Sequence, residues 1–170
     1  MKNIYNDNEY LNIVDDILYN KEFRKIDSSV HHGLSRLDHS LRVSYYSYKL
    51  SKILLLNTKE VARAGLLHDF FVTKDMTRKE KTISAFVHPK KALANAEENF
   101  NLSEREKNII EAHMFPLVPH KVPKYMESWL VSFVDKIVAT YEFTYSYGSK
   151  ALCKLPNAYV ITLLLLLRRI

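Results

Sequence analysis

The feature that most constrains the fold of this chain is a helical spacing of apolar residues that continues almost without a break. Only 3 glycines and 5 prolines occur among the 170 residues, which argues against an all-β sandwich and against a glycine-rich nucleotide fold. Hydrophobic residues make up 47% of the chain, enough to build a core and to exclude a mainly disordered protein. We therefore predict a single all-α domain that spans residues 1–170.

Capping residues and prolines place the predicted helices. A first helix carries its apolar face at Tyr10, Leu11, Val14, Ile17 and Leu18, and residues 20–34 are predicted to be irregular. A second helix begins at the capping pair Ser35 and Asp38 and reaches about Leu54, and a third begins at Thr58 and carries His68. After a loop over 73–83, a fourth helix begins at Pro89 and reaches about Phe100, and a fifth runs from the capping box of Ser103 and Glu106 to near His113. A proline-rich loop over 116–123 precedes a sixth helix over roughly 126–145.

Charge and cysteine content narrow the class of protein. The net charge of +6 comes from 25 basic and 19 acidic residues spread along the chain, so we expect no nucleic-acid partner. The single cysteine, Cys153, excludes an internal disulfide and a cysteine-based zinc site. The expected location is cytoplasmic, because no secretory signal is visible and no disulfide can form within the chain.

The C-terminal residues form an apolar run. Residues 158–167 read AYVITLLLLL, which is shorter than the ~18–20 residues that cross a bilayer, so no transmembrane segment is expected. We predict a last helix over about 157–168, buried against the core or against a second copy in a homodimer. A peripheral membrane contact is the alternative.

Histidine and aspartate residues fall where helices are predicted to end or to be buried. Adjacent helical residues point about 100° apart, so His68 and Asp69 can share one ion where their helix ends. Asp135 lies among apolar neighbours in SWLVSFVDKIVATY, a costly position unless a cation or a donor meets the carboxylate. Each residue taken alone also fits a hydrogen-bonded core histidine or a capping aspartate. Together with His39 they form a ligand set that suits Fe, Mn, Co or Zn rather than Ca.

These residues carry a resemblance to a known family. His39 in RLDHSLRV, His68 and Asp69 in ARAGLLHDFF, and Asp135 in SFVDKIVA resemble the motifs of the HD superfamily of metal-dependent phosphohydrolases over about residues 35–145. The resemblance implies an HD-domain helical bundle. His88 in HPKKALANAEE, at a predicted helix start, and His113 in IIEAHMFPL resemble the two further histidines of HD proteins with a dinuclear centre.

The resemblance implies a ligand set and a reaction. One ion would be held by His39, His68, Asp69 and Asp135, and a second by His88 and His113, with Asp69 bridging. The ions would be divalent (Fe, Mn, Co or Zn, with Mg compatible), and a hydroxide between them would attack phosphorus. The implied substrate is a small phosphate ester or anhydride, with a nucleotide expected. The order of the six positions is similar to that of the symmetrical diadenosine tetraphosphate hydrolases.

Three further residues are candidates for substrate contact. Arg36 lies three residues before His39, as an arginine does in the dNTP triphosphohydrolases, which implies a phosphate contact on the same helix face. Lys136 follows Asp135 and either holds a phosphate or is a surface lysine. His120, in the proline-rich loop, either contacts substrate or is solvated. Asp69, Arg36 and Lys136 are the predicted catalytic residues.

Two other functions are compatible with the same residues. Some HD-fold proteins are mixed-valent di-iron oxygenases, and four imidazoles allow that chemistry. A non-catalytic regulatory HD domain that keeps metal only for stability is the second alternative.

Overall fold

The computed structural model of the chain describes residues 4–28, 30–31, 34–72 and 76–147. Over these residues the chain forms eight α-helices and confirms the all-α fold. The helices are α1 (Asn8–Leu18), α2 (Lys21–Arg24), α3 (Arg36–Ile53), α4 (Thr58–Leu67), α5 (Arg78–Thr82), α6 (Ser84–Asn99), α7 (Glu104–Ala112) and α8 (Met126–Tyr147). Short 3₁₀ turns lie at Ile4–Asn6 and Lys25–Ser28. Strands β1 (Val30–His31) and β2 (Leu34–Ser35) form a small antiparallel hairpin, with Val30 opposite Ser35.

Helices α3 and α4 form the centre of the bundle. Helix α3 packs against α4 and α8, while α4 also contacts α7 and α1. Side chains from all of these helices are fully buried between them, and the largest are Tyr10, Ile17, Tyr48, Leu66, Leu67, Ile109 and Ile110. Burial of these apolar surfaces provides the main stabilisation of the bundle, at roughly 25 cal/mol per Å² removed from water.

Small side chains allow α3 and α4 to approach closely. Four fully buried serines, Ser40, Ser44, Ser47 and Ser51, follow one face of α3 at helical spacing. A Cβ atom on Gly65 of α4 would lie 3.1 Å from the Cα of Ser44, which is tighter than an ordinary contact. This close approach brings the His39 and His68 rings at the ends of the two helices to a centroid distance of 5.3 Å.

Most of the predicted helices are confirmed, and their caps are as predicted. The hydroxyl of Ser35 accepts a hydrogen bond from the Asp38 N–H at the start of α3. Ser103 and Glu106 form a reciprocal capping box at the start of α7. The prolines at 116, 119 and 123 lie in the connection between α7 and α8, outside any helix.

The prediction that the fourth helix begins at Pro89 is wrong. Helix α6 begins five residues earlier, at Ser84, so His88 lies inside the helix rather than at its start. Proline suits the first turn of a helix because an N–H group there has no acceptor within the helix. In α6 the helix extends for more than one further turn before Pro89, and burial of His88 and Pro89 offsets the hydrogen bond that the proline cannot donate.

Two segments predicted to be irregular contain short elements. Residues 73–83 include α5, which the capping box of Thr77 and Glu80 begins. Residues 20–34 include α2, where the Asn20 side chain caps the helix and Phe23 is buried, and also the hairpin. Burial of Phe23 stabilises α2, whereas α5 contains no apolar residue and is stabilised at its start by the capping box. Both helices are too short to show a hydrophobic period.

The predicted helix over 157–168 lies outside the described residues, and the extent of the domain over 1–170 stays a prediction. Among the described helices, none has both the length and the apolar character that a membrane-spanning segment requires.

Replacing Gly65 with valine tests the close packing of α3 and α4. We expect Gly65→Val to lower the free energy of unfolding by about 1–3 kcal/mol, because the new side chain overlaps the α3 backbone at Ser44. Ala94→Val, at an exposed position of α6, is the control for the low helix propensity of valine. It should lower the free energy of unfolding by less than about 1 kcal/mol. Chemical denaturation measures both, and equal losses would contradict the account.

Candidate metal centre

Five helices bring the six predicted metal ligands to one place in the bundle. His39 lies in the first turn of α3, His88 in α6 and Asp135 in α8. His68 and His113 are the residues that end α4 and α7, and Asp69 directly follows His68. None of the six is more than 9% exposed, so they form a buried polar cluster.

Three of the histidines are held in the same way by the backbone. The Nδ1–H groups of His68, His88 and His113 each donate a hydrogen bond to a carbonyl oxygen three or four residues earlier. The acceptors are the carbonyl oxygens of Gly65, Ser84 and Ile110, at 2.8, 2.8 and 2.7 Å. Because a carbonyl oxygen only accepts, the proton of each neutral ring is on Nδ1 and the lone pair is on Nε2.

These Nε2 atoms converge on each other and on the two carboxylates. The Nε2 atoms of His88 and His113 are 2.9 Å apart, and they lie 3.4 and 3.8 Å from Oδ1 of Asp69. The Nε2 atom of His68 is 3.6 Å from Oδ1 of Asp135. Lone pairs that face each other at such distances repel unless a cation lies between them.

Buried acceptors without donors point the same way. The Nε2 atom of His68 and the Oδ1 atom of Asp69 are fully buried, and neither has a hydrogen-bond donor among the described residues. Such groups are costly in a protein interior, whereas a divalent ion would satisfy both. The donor set of imidazole nitrogens and carboxylate oxygens therefore fits a transition metal or zinc.

His39 differs from the other three histidines, because its ring lies between two carboxylates. Its Nε2 atom is 3.1 Å from Oδ1 of Asp135, and its Nδ1 atom is 2.8 Å from Oε2 of Glu142. Burial lowers the pKa of His39, but the hydrogen bonds to Asp135 and Glu142 outweigh it and raise the pKa to about 10. A divalent ion bound by Nε2 of His39 and by Asp135 would replace the proton that these two atoms share.

The cluster offers three overlapping groups of ligand atoms, each within 4.8 Å. The groups are His39 with His68 and Asp69, Asp69 with His88 and His113, and His68 with His113 and Asp135. His68, His113 and Asp69 each belong to two of the groups, and Asp69 is the carboxylate that is grouped both with His39 and with the His88–His113 pair. This is the arrangement that a bridging carboxylate requires.

The electrostatic environment keeps the carboxylates ionised and two of the imidazoles neutral. Burial raises the pKa of Asp69, but the neighbouring His88 and His68 hold it far below its usual value. Burial also raises the pKa of Asp135, but the hydrogen bond with His39 and the nearby ring of His68 lower it well below its usual value. Burial lowers the pKa of His88 and, together with the neighbouring imidazoles, brings the pKa of His113 down to about 3. These are the protonation states that bind a metal ion.

Arg36 is brought to the cluster through Asp69 and an aromatic ring. Its Nη1 atom lies 3.4 Å from Oδ2 of Asp69, and its guanidinium group lies 3.7 Å from the ring centroid of Phe71. The ring of His88 also stacks on Phe71, at a centroid distance of 5.2 Å and an interplanar angle of 21°. Arg36 is 5% exposed, so it acts on the carboxylate from within the protein.

Of the other two predicted substrate contacts, the structure brings one to the cluster. Lys136 Nζ lies 3.5 Å from Oδ2 of Asp135, and it donates hydrogen bonds to the carbonyl of His113 and to Ser132. It therefore ties the end of α7 to α8, and 34% of its side chain is exposed. His120 is exposed in the loop after α7, and among the described residues no hydrogen bond or ion pair joins it to the six ligands.

Sequence reasoning missed two residues of the site, Glu142 and Phe71. Glu142 lies seven residues after Asp135, two helical turns along the same face of α8, and is an isolated acidic residue in the aromatic stretch TYEFTYSY. That spacing is the signal that would have placed it near His39. Phe71 carried no comparable signal, because its role depends on two neighbours that only the fold brings together.

The described residues form an all-α bundle that surrounds a buried cluster of histidine and aspartate side chains able to hold metal ions. The chain matches the HD domain family over residues 36–140, more than half of its length. It belongs to the HD domain family, a superfamily of metal-dependent phosphohydrolases. Neither a comparison with curated proteins nor one with solved structures gives a match, so no named relative supports the diadenosine tetraphosphate hydrolase type.

The backbone tethers predict the tautomers of three histidines. In metal-depleted protein labelled with ¹⁵N at histidine, long-range ¹H–¹⁵N spectra should show protonated Nδ1 for His68, His88 and His113. At pH 7 the Nε2 atoms of His88 and His113 should be bare, because burial lowers the pKa of both rings. His113 should still be neutral at pH 5, because its pKa is about 3. The exposed His120 serves as the internal comparison. A neutral ring with its proton on Nε2 instead of Nδ1, in any of the three tethered histidines, would contradict the geometry.

Proposed function

We propose that the protein is a phosphohydrolase that uses two divalent ions, of Fe, Mn, Co, Zn or Mg, to cleave a small phosphate ester or anhydride. A nucleotide is the proposed substrate. One observation carries the proposal: three Nε2 lone pairs and two ionised carboxylates converge in a buried cluster. Within the described part of the chain, Nε2 of His68 and Oδ1 of Asp69 have no hydrogen-bond donor. A regulatory domain would have no need for a carboxylate shared between two groups of ligands.

The ligand sets follow the two ends of the cluster. His39, His68 and Asp135 would hold the first ion, His88 and His113 the second, and Asp69 would contact both. Ions at such a centre lower the pKa of bound water to about 7 and stabilise the charge that develops on a phosphoryl oxygen. The chain's own residues supply the rest: rigid rings, ionised carboxylates and a site that excludes bulk water.

Positive charge beside the ligands favours a phosphate substrate. Arg36 lies against Asp69 and keeps that carboxylate ionised, although burial lowers the pKa of the guanidinium itself. The ammonium group of Lys136 lies beside Asp135, and about a third of the Lys136 side chain is exposed, so a substrate can approach it from solvent. We propose that Lys136 contacts the phosphate and that Arg36 acts through Asp69.

Other expectations accompany this proposal. We propose that the protein works in the cytoplasm, because its one cysteine, Cys153, allows no internal disulfide. A homodimer through the apolar residues 158–167 is proposed on the sequence alone. Among nucleotides, dinucleoside polyphosphates are the first substrates to test.

Metal stoichiometry tests the two-ion centre. Protein purified without chelator and without oxygen should contain about two ions per chain, and His113→Ala should contain about one. His120→Ala, an exposed histidine outside the cluster, is the matched control and should keep both ions. Elemental analysis measures all three proteins. Equal metal content in the wild type and in His113→Ala would contradict a ligand role for His113.

Phosphate release tests the reaction. The metal-loaded protein should hydrolyse at least one member of a panel of dinucleoside polyphosphates, nucleoside triphosphates and monophosphates. Asp69→Asn should lower kcat by about 100-fold or more, because the shared carboxylate is lost from both ions. Asp15→Asn, on the exposed face of α1, is the control and should leave kcat unchanged. Turnover that requires oxygen, with no phosphate released from any of the panel, would favour the di-iron oxygenase alternative instead.

A further inference from the structure

Glu142 is a buried carboxylate that the proposed reaction does not use. It is 1% exposed, in the last third of α8, and it lies two residues beyond the region matched by the HD domain family. Its Oε2 atom is 2.8 Å from Nδ1 of His39, and its Oε1 atom accepts a hydrogen bond of 2.6 Å from Nη1 of Arg42. A carboxylate in such a position needs partners that offset its desolvation, and both partners come from α3.

The acceptor on His39 is different in kind from the acceptors on the other three histidines. His68, His88 and His113 each donate Nδ1–H to a neutral carbonyl oxygen. A hydrogen bond to a carboxylate is stronger, and it raises the basicity of the opposite ring nitrogen toward a metal. The ring of His39 is therefore the one with the greatest donor strength at Nε2.

Arg42 keeps the carboxylate of Glu142 in place. Arg42 lies three residues after His39 on α3, so the two side chains project from the same face of the helix. Its guanidinium occupies the oxygen of Glu142 that His39 does not use. Glu142 of α8 thus binds both His39 and Arg42 of α3. The orientation of the His39 ring is fixed by Glu142 at Nδ1 and by Asp135 at Nε2.

The two ends of the cluster also differ in carboxylates. Asp135 lies 3.1 Å from Nε2 of His39, and Asp69 is grouped with His39 as well. At the other end, Asp69 is grouped with the rings of both His88 and His113, whereas Asp135 is grouped with His113 and His68 but not with His88. The greater negative charge and the stronger imidazole donor are therefore at the same end.

We propose that Glu142 is a positioning residue that orients His39 and strengthens it as a ligand, so that the His39 end binds its divalent ion more tightly than the His88–His113 end. This inference rests on the two-ion centre proposed above. Glu142 touches neither ion nor substrate, and it acts only through the ring of His39.

Titration of metal-depleted protein with Mn²⁺ tests the proposal, with metal affinity as the readout. The wild type should bind in a tighter and a weaker step, and His113→Ala should retain only the tighter step. Glu142→Gln keeps an acceptor oxygen but removes the charge, so the tighter step should weaken by about 10-fold. Glu142→Ala removes the acceptor as well, and the loss should approach about 100-fold. The weaker step should not change.

Glu127→Gln is the matched control for the loss of a buried carboxylate from α8. Glu127 is 8% exposed, accepts a hydrogen bond from the Asn57 N–H and pairs with Arg105, away from the six ligands. The Glu127→Gln variant should bind Mn²⁺ in two steps with the same affinities as the wild type. Thermal melts should show that all variants are folded at the temperature of the titration.

The outcomes separate this inference from the proposed function. Unchanged binding in Glu142→Gln and Glu142→Ala, with two ions in the wild type, would overturn the positioning role alone. Weakening of both steps in the Glu142 variants and in Glu127→Gln would show a general loss of structure and would also overturn it. A wild type that binds no metal would overturn the two-ion centre and this inference together.

Discussion

The burial of Asp69 and Asp135 is the constraint on which the rest of the structure depends. An ionised carboxylate removed from water costs several kcal/mol unless positive charge and donors surround it. Around these two residues the protein places one guanidinium, four imidazoles and one ammonium group, drawn from α3, α4, α6, α7 and α8. The five helices therefore have to pack so that these charged and polar side chains surround the two carboxylates. The bundle is organised around this polar cluster as much as around its apolar core.

Helix ends solve the geometric problem that the His68–Asp69 doublet poses. Neighbouring residues within a helix diverge by about 100°, but α4 ends at this doublet, so both side chains can turn to the same side. The carbonyls of the last helical turn have no intrahelical partners, and His68 and His113 each use one of them to fix the ring. The close contact of α3 and α4 at Gly65 then sets the distance between the rings of His39 and His68.

Periodicity and capping residues are enough to predict the long helices, because these signals are local. The motifs around them are also enough to predict the six candidate ligands as a set, and the fold brings their side chains into one cluster. The residue at which α6 begins could not be predicted from local signals, because burial of His88 and Pro89 outweighs the usual preference of proline for the first turn of a helix. The contact between Arg36 and Phe71 could not be predicted either, because it depends on how α3 meets the turn after α4.

Anomalous diffraction from crystals of the Mn-loaded protein, collected on both sides of the metal absorption edge, tests the central claim most directly. The account predicts two anomalous peaks about 3.5–4 Å apart within the buried cluster, with the carboxylate of Asp69 between them. Nε2, not Nδ1, should face the metal on each tethered histidine. An absence of peaks in the cluster, or peaks bound only by exposed residues such as His120, would contradict the account.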